Sequence, residues 1–142
     1  MEGGLEDGLP YLWDADRFHV VLEHFQPALN PPAGEWQLLA EYDGWPNGLA
    51  LCADGCLAIA DHKRGLLRLD PARGAIEPLL ARRRREAFKG LNDLVVSRAG
   101  DLYFIDQGDT GLHDPTGRLC RLRPDGRLDT LLASVPAPTA WP

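Results

Sequence analysis

The segment from Asn47 to Asp61 recurs, without a gap, as the segment from Asn92 to Asp106, 45 residues further along. The two copies share the opening Asn, a leucine two residues on (Leu49, Leu94), a turn glycine (Gly55, Gly100), a second leucine (Leu57, Leu102) and the closing Asp. Each reads as an apolar strand, a tight turn and another apolar strand. The likeness continues with Leu66-Leu67-Arg68-Leu69-Asp70-Pro71 over Leu119-Cys120-Arg121-Leu122-Arg123-Pro124, after a longer loop in the second copy. Then Gly74-Ala75-Ile76-Glu77-Pro78-Leu79-Leu80 lies over Gly126-Arg127-Leu128-Asp129-Thr130-Leu131-Leu132, and Gly34 to Leu39 is a third version of that last strand. A unit of four strands spanning roughly 45–50 residues is the size of a β-propeller blade.

No stretch sustains helical periodicity, so the expected class is all-β, with four-stranded antiparallel sheets arranged as a partial propeller of about three blades. Chain boundaries follow from the repeat: one domain over 1–142, an incomplete blade at about 1–40, blades at about 41–81 and 88–133, and an aberrant tail at 139–142. In the first blade, Asp7-Gly8 falls on Asp54-Gly55, giving strands over 9–14 and 18–23 and placing the blade's first strand almost wholly ahead of Met1.

Composition narrows the partners. With 15 Lys plus Arg against 21 Asp plus Glu, the net charge is -6, which disfavours nucleic acid and anionic membrane, both of which reward positive charge. No apolar run approaches the ~20 residues of a membrane helix, and the acidic start lacks a signal-peptide pattern, so a cytoplasmic protein is expected. Arg82 to Arg85 form the one basic cluster, read as a solvated loop between blades. The histidines, His19, His24, His62 and His113, have no metal-ligand spacing, and Cys52, Cys56 and Cys120 form no C-x-x-C. A two-residue turn at Asp54-Gly55 would set Cys52 against Leu57 and point Cys52 and Cys56 to opposite faces, so that they should not bond. Asp61 and Asp106, at the same strand end, suggest carboxylates bonding loop amides. The polar loop Gln107-Gly108-Asp109-Thr110-Gly111 follows a strand and precedes no helix, which rules out a nucleotide loop and leaves Gln107, Asp109 and Thr110 as candidates lining a channel mouth.

Pro46-Asn47-Gly48-Leu49-Ala50, Gly90-Leu91-Asn92-Asp93-Leu94-Val95-Val96, Asp101-Leu102-Tyr103-Phe104-Ile105-Asp106 and the run from Gly117 to Gly126 together resemble the gluconolactonase family, which includes senescence marker protein and luciferin-regenerating enzyme. The resemblance runs from about Pro32 to Pro138. It implies half of a six-bladed propeller that holds a divalent cation, usually calcium, in its channel and hydrolyses sugar lactones or related esters. It further implies that Asn92 lies in the metal and substrate site, with Asn47 opening the preceding blade at the same level. The family's Glu-Gly-Pro motif is absent, leaving Glu2, in Glu2-Gly3-Gly4, as a weak stand-in for a metal ligand. Ligands that the family draws from its fourth and fifth blades have no counterpart here.

Innermost strands that start at one channel mouth bring Asn and Asp oxygens together, which suits a hard cation able to polarise a lactone carbonyl. One secure oxygen ligand falls far short of the ~6–8 that calcium takes, so weak or no calcium binding and no lactonase activity are expected of the chain alone. The competing expectation is a non-enzymatic propeller module, or an inert product of a frameshifted gene. Either way, exposed blade faces invite self-association. The tail supports a frameshift: where the family opens its next blade with Pro-Asn-Gly-Leu, this chain has Pro138-Thr139-Ala140-Trp141. Losing one A from CCC AAC GGC CTG G yields codons for Pro-Thr-Ala-Trp.

Overall fold

The computed structural model describes residues 2–6, 9–13, 18–23, 36–83 and 85–136, with side chains from residue 39 onward. Its regular structure there is entirely β, in three four-stranded antiparallel sheets and one two-stranded ribbon. The first sheet takes β1 (Glu2–Glu6), β2 (Leu9–Trp13), β3 (Phe18–Glu23) and β4 (Trp36–Tyr42) in sequence order. The second takes β5 (Pro46–Leu51), β6 (Leu57–Asp61), β7 (Gly65–Asp70) and β8 (Ala75–Leu80). A short ribbon, β9 (Arg82–Arg83) with β10 (Glu86–Ala87), leads to the third sheet: β11 (Leu91–Val96), β12 (Leu102–Asp106), β13 (Gly117–Leu122) and β14 (Leu128–Val135). This is the four-strand repeat read from the sequence. No helix among the described residues is long and apolar enough to cross a membrane. Residues 7–8 and 137–142, where the first turn and the aberrant tail were read, lie outside the described residues.

Two details differ from the sequence reading. The first sheet has its own first strand, β1, which pairs with β2 from Glu2↔Trp13 to Glu6↔Leu9. Five residues suffice for such a strand, so the blade's first strand lies at Glu2–Glu6 and not ahead of Met1 as expected. The hairpin loops, moreover, hold three residues rather than two. Cys52 N–H donates to the Cys56 carbonyl at 2.8 Å, and Gly55 N–H donates to the Cys52 carbonyl at 3.0 Å. Gly55 has φ +82°, the left-handed conformation that closes a turn followed by a glycine bulge. The same loop recurs with Gly100 (φ +85°) between Ser97 and Asp101, and with Gly126 (φ +86°) between Arg123 and Arg127. Cys52 therefore stands opposite Cys56, which corrects the expectation that the two thiols diverge.

Strand alternation sends each sheet's two faces to different neighbours. Leu49, Leu57, Ile59, Leu67 and Leu69 of the second sheet pack with Leu39 and Ala40 of β4. Its opposite face, Ala50, Ala58, Ala60 and Leu66, packs on Leu91, Leu94, Leu102, Phe104, Cys120 and Leu122 of the third. Small alanines on one side let Phe104 sit fully buried, edge-on to Phe88 with ring centroids 5.4 Å apart. The arginine run belongs to this junction as well. Arg83 Nε donates to Thr130 Oγ1 at 3.0 Å, and Glu86 lies 3.2 Å from the Arg118 guanidinium. Arg83 thus ties the inter-sheet connection to the third sheet, while Arg82 and Arg85 are exposed.

Candidate functional site

The innermost strands β5 and β11 both begin with an irregularity. Pairing steps from Pro46↔Asp61 to Gly48↔Ala60, leaving Asn47 as an extra residue on β5. On β11 it steps from Leu91↔Asp106 to Leu94↔Phe104, so one extra residue falls within Asn92-Asp93. A bulge breaks the in-out alternation and re-aims a side chain, a device common beside functional sites. It does so here at Asn47 and within Asn92-Asp93, positions that the repeat makes equivalent. Asn47 Nδ2 donates across to the Leu91 carbonyl of the third sheet at 2.9 Å, and Asn92 Nδ2 donates to Gln107 Oε1 at 2.7 Å.

The strands meet closely at this rim. A Cβ on Gly48 would lie 3.0 Å from the Asp93 Cα and 3.1 Å from both the Asn92 carbonyl oxygen and Asp93 Oδ1. Asn47, Asn92, Asp93 and Gln107 are thereby gathered at one end of two adjoining strands. The sequence singled out three of them and passed over Asp93, whose Oδ1 also accepts from Leu94 N–H at 2.8 Å.

Two buried carboxylates hold the approaches to the rim. Asp61 Oδ2 accepts from Trp45 N–H at 2.7 Å and from the Tyr42 hydroxyl at 2.8 Å, while its Oδ1 accepts from Lys63 and Arg64 N–H, each at 2.8 Å. Asp106 Oδ1 accepts from Lys89 and Gly90 N–H at 2.7 and 3.1 Å, and its Oδ2 takes the Arg118 guanidinium at 2.5 Å. Each carboxylate thus fixes the backbone two residues ahead of its asparagine, at Trp45 before Asn47 and Gly90 before Asn92. These are the loop-amide roles expected of the pair. Burial, with the Asp61 charge and hydrogen bond, drives the Tyr42 hydroxyl far above its ordinary pKa. Burial works against the Arg118 charge, but Asp106 beside it raises the guanidinium pKa overall.

Gly90 (φ +147°) packs its backbone against the His62 ring, where a Cβ would collide with the imidazole. His62 in turn lies against Trp45, ring centroids 5.1 Å apart, with Trp45 about half exposed. No sequence motif marked this aromatic pair two residues ahead of Asn47. The other candidates are placed differently. Asp109 is exposed. Thr110 is buried in its own loop, where its hydroxyl donates to the Asp114 carbonyl at 2.5 Å and accepts from Thr116 N–H at 2.7 Å. That makes Thr110 an organiser of the loop rather than a lining residue. Glu2 lies in β1, and its side chain is outside the described residues.

As a cation site the rim is incomplete. Among the described residues no group of three or more His, Cys, Asp or Glu is placed to hold a metal ion. The rim offers three carboxamides and one carboxylate, and the Gln107 oxygen is already engaged by Asn92. This donor set does not by itself fit calcium, which takes about 6–8 oxygens with several carboxylates among them.

Comparison with known proteins places the chain in a family. The family model for the SMP-30/gluconolactonase/LRE-like region matches residues 30–141, a span that contains the whole rim. A gluconolactonase of Zymomonas mobilis is 29% identical over 116 residues, covering 75% of this chain and 31% of the relative. The structure of a Xanthomonas campestris gluconolactonase, described as important in glucose secondary metabolic pathways, superposes with a TM-score of 0.60 at 27% identity, covering 69% of this chain and 36% of that one. An X-ray structure of a further protein, named as a putative gluconolactonase, superposes with a TM-score of 0.59 at 20% identity, over 91% of this chain and 43% of that one, and speaks to the fold alone. The chain spans about a third of the length of the curated relative that it matches.

Proposed function

The chain belongs to the SMP-30/gluconolactonase/LRE-like family, and on that premise we propose that the rim of Asn47, Asn92, Asp93 and Gln107 is part of the site of a sugar-lactone hydrolase. The observation that carries this reading is the paired bulge, which sets two repeat-equivalent asparagines at adjoining strand ends. Carboxamides both donate and accept hydrogen bonds, which suits the hydroxyls around a sugar ring. Gln107 holds the Asn92 amide in one orientation, and Asp93 adds an acceptor for a hydroxyl or for the attacking water. Hydrolysis also requires donors or positive charge where the carbonyl oxygen gains negative charge. In the family reading a divalent cation, usually calcium, supplies that charge. The four residues do not complete such a site, so the 142-residue chain alone is proposed to bind calcium weakly or not at all and to leave lactones unhydrolysed.

The test is calcium titration calorimetry together with pH-stat hydrolysis of glucono-1,5-lactone by the purified chain. Background hydrolysis and no stoichiometric calcium heat are expected. A micromolar, one-to-one calcium site abolished by Asn92→Ala would show that the described donors were undercounted.

A second reading, a non-enzymatic interaction module, is favoured by one observation. Val95, Leu131 and Leu132 of the third sheet are exposed, Leu132 to 56%. Repeat units bury their faces on neighbours, and a second copy of the chain is the partner this surface suits best.

A further inference from the structure

Cys52 and Cys56 flank a three-residue loop and face each other across it. Opposed residues of a hydrogen-bonded antiparallel pair have Cα atoms about 5.5 Å apart, inside the roughly 4.4–6.8 Å window that a disulfide spans. The third sheet shows what a side chain can reach from this position. Ser97 occupies the place of Cys52 and Asp101 that of Cys56, and Ser97 Oγ accepts from Asp101 N–H at 3.1 Å. In the second sheet the Cys56 N–H donates to Asp54 Oδ1 at 3.0 Å instead, and the Cys52 thiol hydrogen-bonds the Ala58 backbone, two residues from its partner on the facing strand. Both cysteines fall in the same alternation as Ala50 and Ala58, so both lie on the face turned to the third sheet, where Cys52 packs beside that shared core.

We propose that Cys52 and Cys56 form a reversible intramolecular disulfide under oxidising conditions, making this hairpin end a thiol-modification site separate from the Asn47–Asn92 rim at the other end of the strands. Cys52, half-buried, is the accessible thiol and Cys56 is buried. The Cys52 thiolate attacks the sulfur–sulfur bond of a low-molecular-weight disulfide such as oxidised glutathione, forming a mixed disulfide and releasing one glutathione thiolate. Cys56 then loses its proton and attacks the Cys52 sulfur, expelling the second glutathione. The two protein thiols give up two electrons and the glutathione disulfide accepts them. Burial raises the pKa of both thiols, with Asp54 adding to the effect. The exchange is accordingly slow at neutral pH and faster in mild alkali. Cys52, Asp54 and Arg68 also line a cleft of about 560 Å³ between the second and third sheets, so the bond would change one wall of that cleft.

The experiment treats the intact 142-residue chain with excess oxidised glutathione in mild alkali, blocks the remaining thiols and measures mass. Cleavage before Asp54 separates Cys52 from Cys56, so a disulfide between them joins two peptides. Expected are a loss of two hydrogens, one linked peptide pair, Cys120 still free, and reversal by dithiothreitol. C56S should accumulate glutathione on residue 52, and C52S should stay unmodified. Stable glutathione on Cys52 of the unaltered chain with Cys56 free, a disulfide between two chains, or a bond to Cys120 would each overturn the proposal.

Discussion

Asp106→Asn tests how the fold holds the rim. Asp106 is fully buried and receives two backbone amides and both Nε and a terminal nitrogen of Arg118, whose side chain is itself only 8% exposed. Removing one partner of a buried ion pair leaves the other charge uncompensated, at a cost of about 3–5 kcal/mol. Glu86 still holds one face of the guanidinium at 3.2 Å, which moves the expectation to the lower half of that range. Asparagine keeps one acceptor for the Lys89 and Gly90 amides, so ~3 kcal/mol is the expected loss. Replacing Arg118 by Met in the same chain removes the stranded charge, and D106N/R118M should recover ~1–2 kcal/mol relative to D106N, as coupled neighbours do. The assay is urea unfolding followed by tryptophan fluorescence, on each single variant and the double. Asp106→Asn within 1 kcal/mol of the unaltered protein, or strict additivity in the cycle, would refute the claim that this carboxylate organises the strand entry.

Gly48→Ala should push β5 from β11, because its Cβ meets backbone atoms at 3.0–3.1 Å; a loss of roughly 1–3 kcal/mol in the same urea assay is expected, with shifted NMR signals from the Asn92 and Gln107 side-chain amides. Arg121 and Arg123 hold the Asp129 carboxyl down at about 2. A folded pKa below the unfolded one means stability that is present above about pH 4 and lost as pH falls toward 2, so Asp129→Asn should flatten that acid limb of the unfolding midpoint while leaving its shape above pH 5 unchanged. Leu132→Lys should shift light-scattering mass toward monomer; an unchanged oligomer would exclude the exposed third-sheet surface as the contact.

Much of this architecture is legible in the chain because a few residues can do only one thing. Gly55, Gly100 and Gly126 each sit at the left-handed position of a three-residue loop, and the 45-residue spacing of Gly55 and Gly100, read with the leucines around them, gives the four-strand unit. Asp61 and Asp106 are legible for a similar reason, since a carboxylate at a repeated strand end has few uses besides collecting amides. The loop length was misread because Asp54-Gly55 satisfies a two-residue turn as well as the last two positions of a three-residue one. The choice lies in the Cys52–Cys56 hydrogen bond, which leaves no mark on composition. Bulges are hidden in the same way. One extra residue at Asn47 or within Asn92-Asp93 leaves the run of apolar residues intact while changing where the side chains go, so Asp93 stayed unremarked beside Asn92. Thr110 looked like a polar lining residue, and only the backbone of residues 114–117 shows that its hydroxyl is consumed locally. The Trp45–His62 pair spans two connections, and nothing local links them.

The central claim, that the Asn47–Asn92 rim is part of a lactone-hydrolysing site, is tested most directly by transplanting it. In the Zymomonas mobilis gluconolactonase, the stretch matching residues 46–135 is replaced by that of this chain, and glucono-1,5-lactone hydrolysis is measured with and without Asn92→Ala. The account predicts that the chimera hydrolyses the lactone and that Asn92→Ala lowers kcat/KM by about a hundredfold or more, as loss of a polar group acting in the transition state does, without changing the melting temperature. A folded chimera with no activity, or one indifferent to Asn92→Ala, would contradict it.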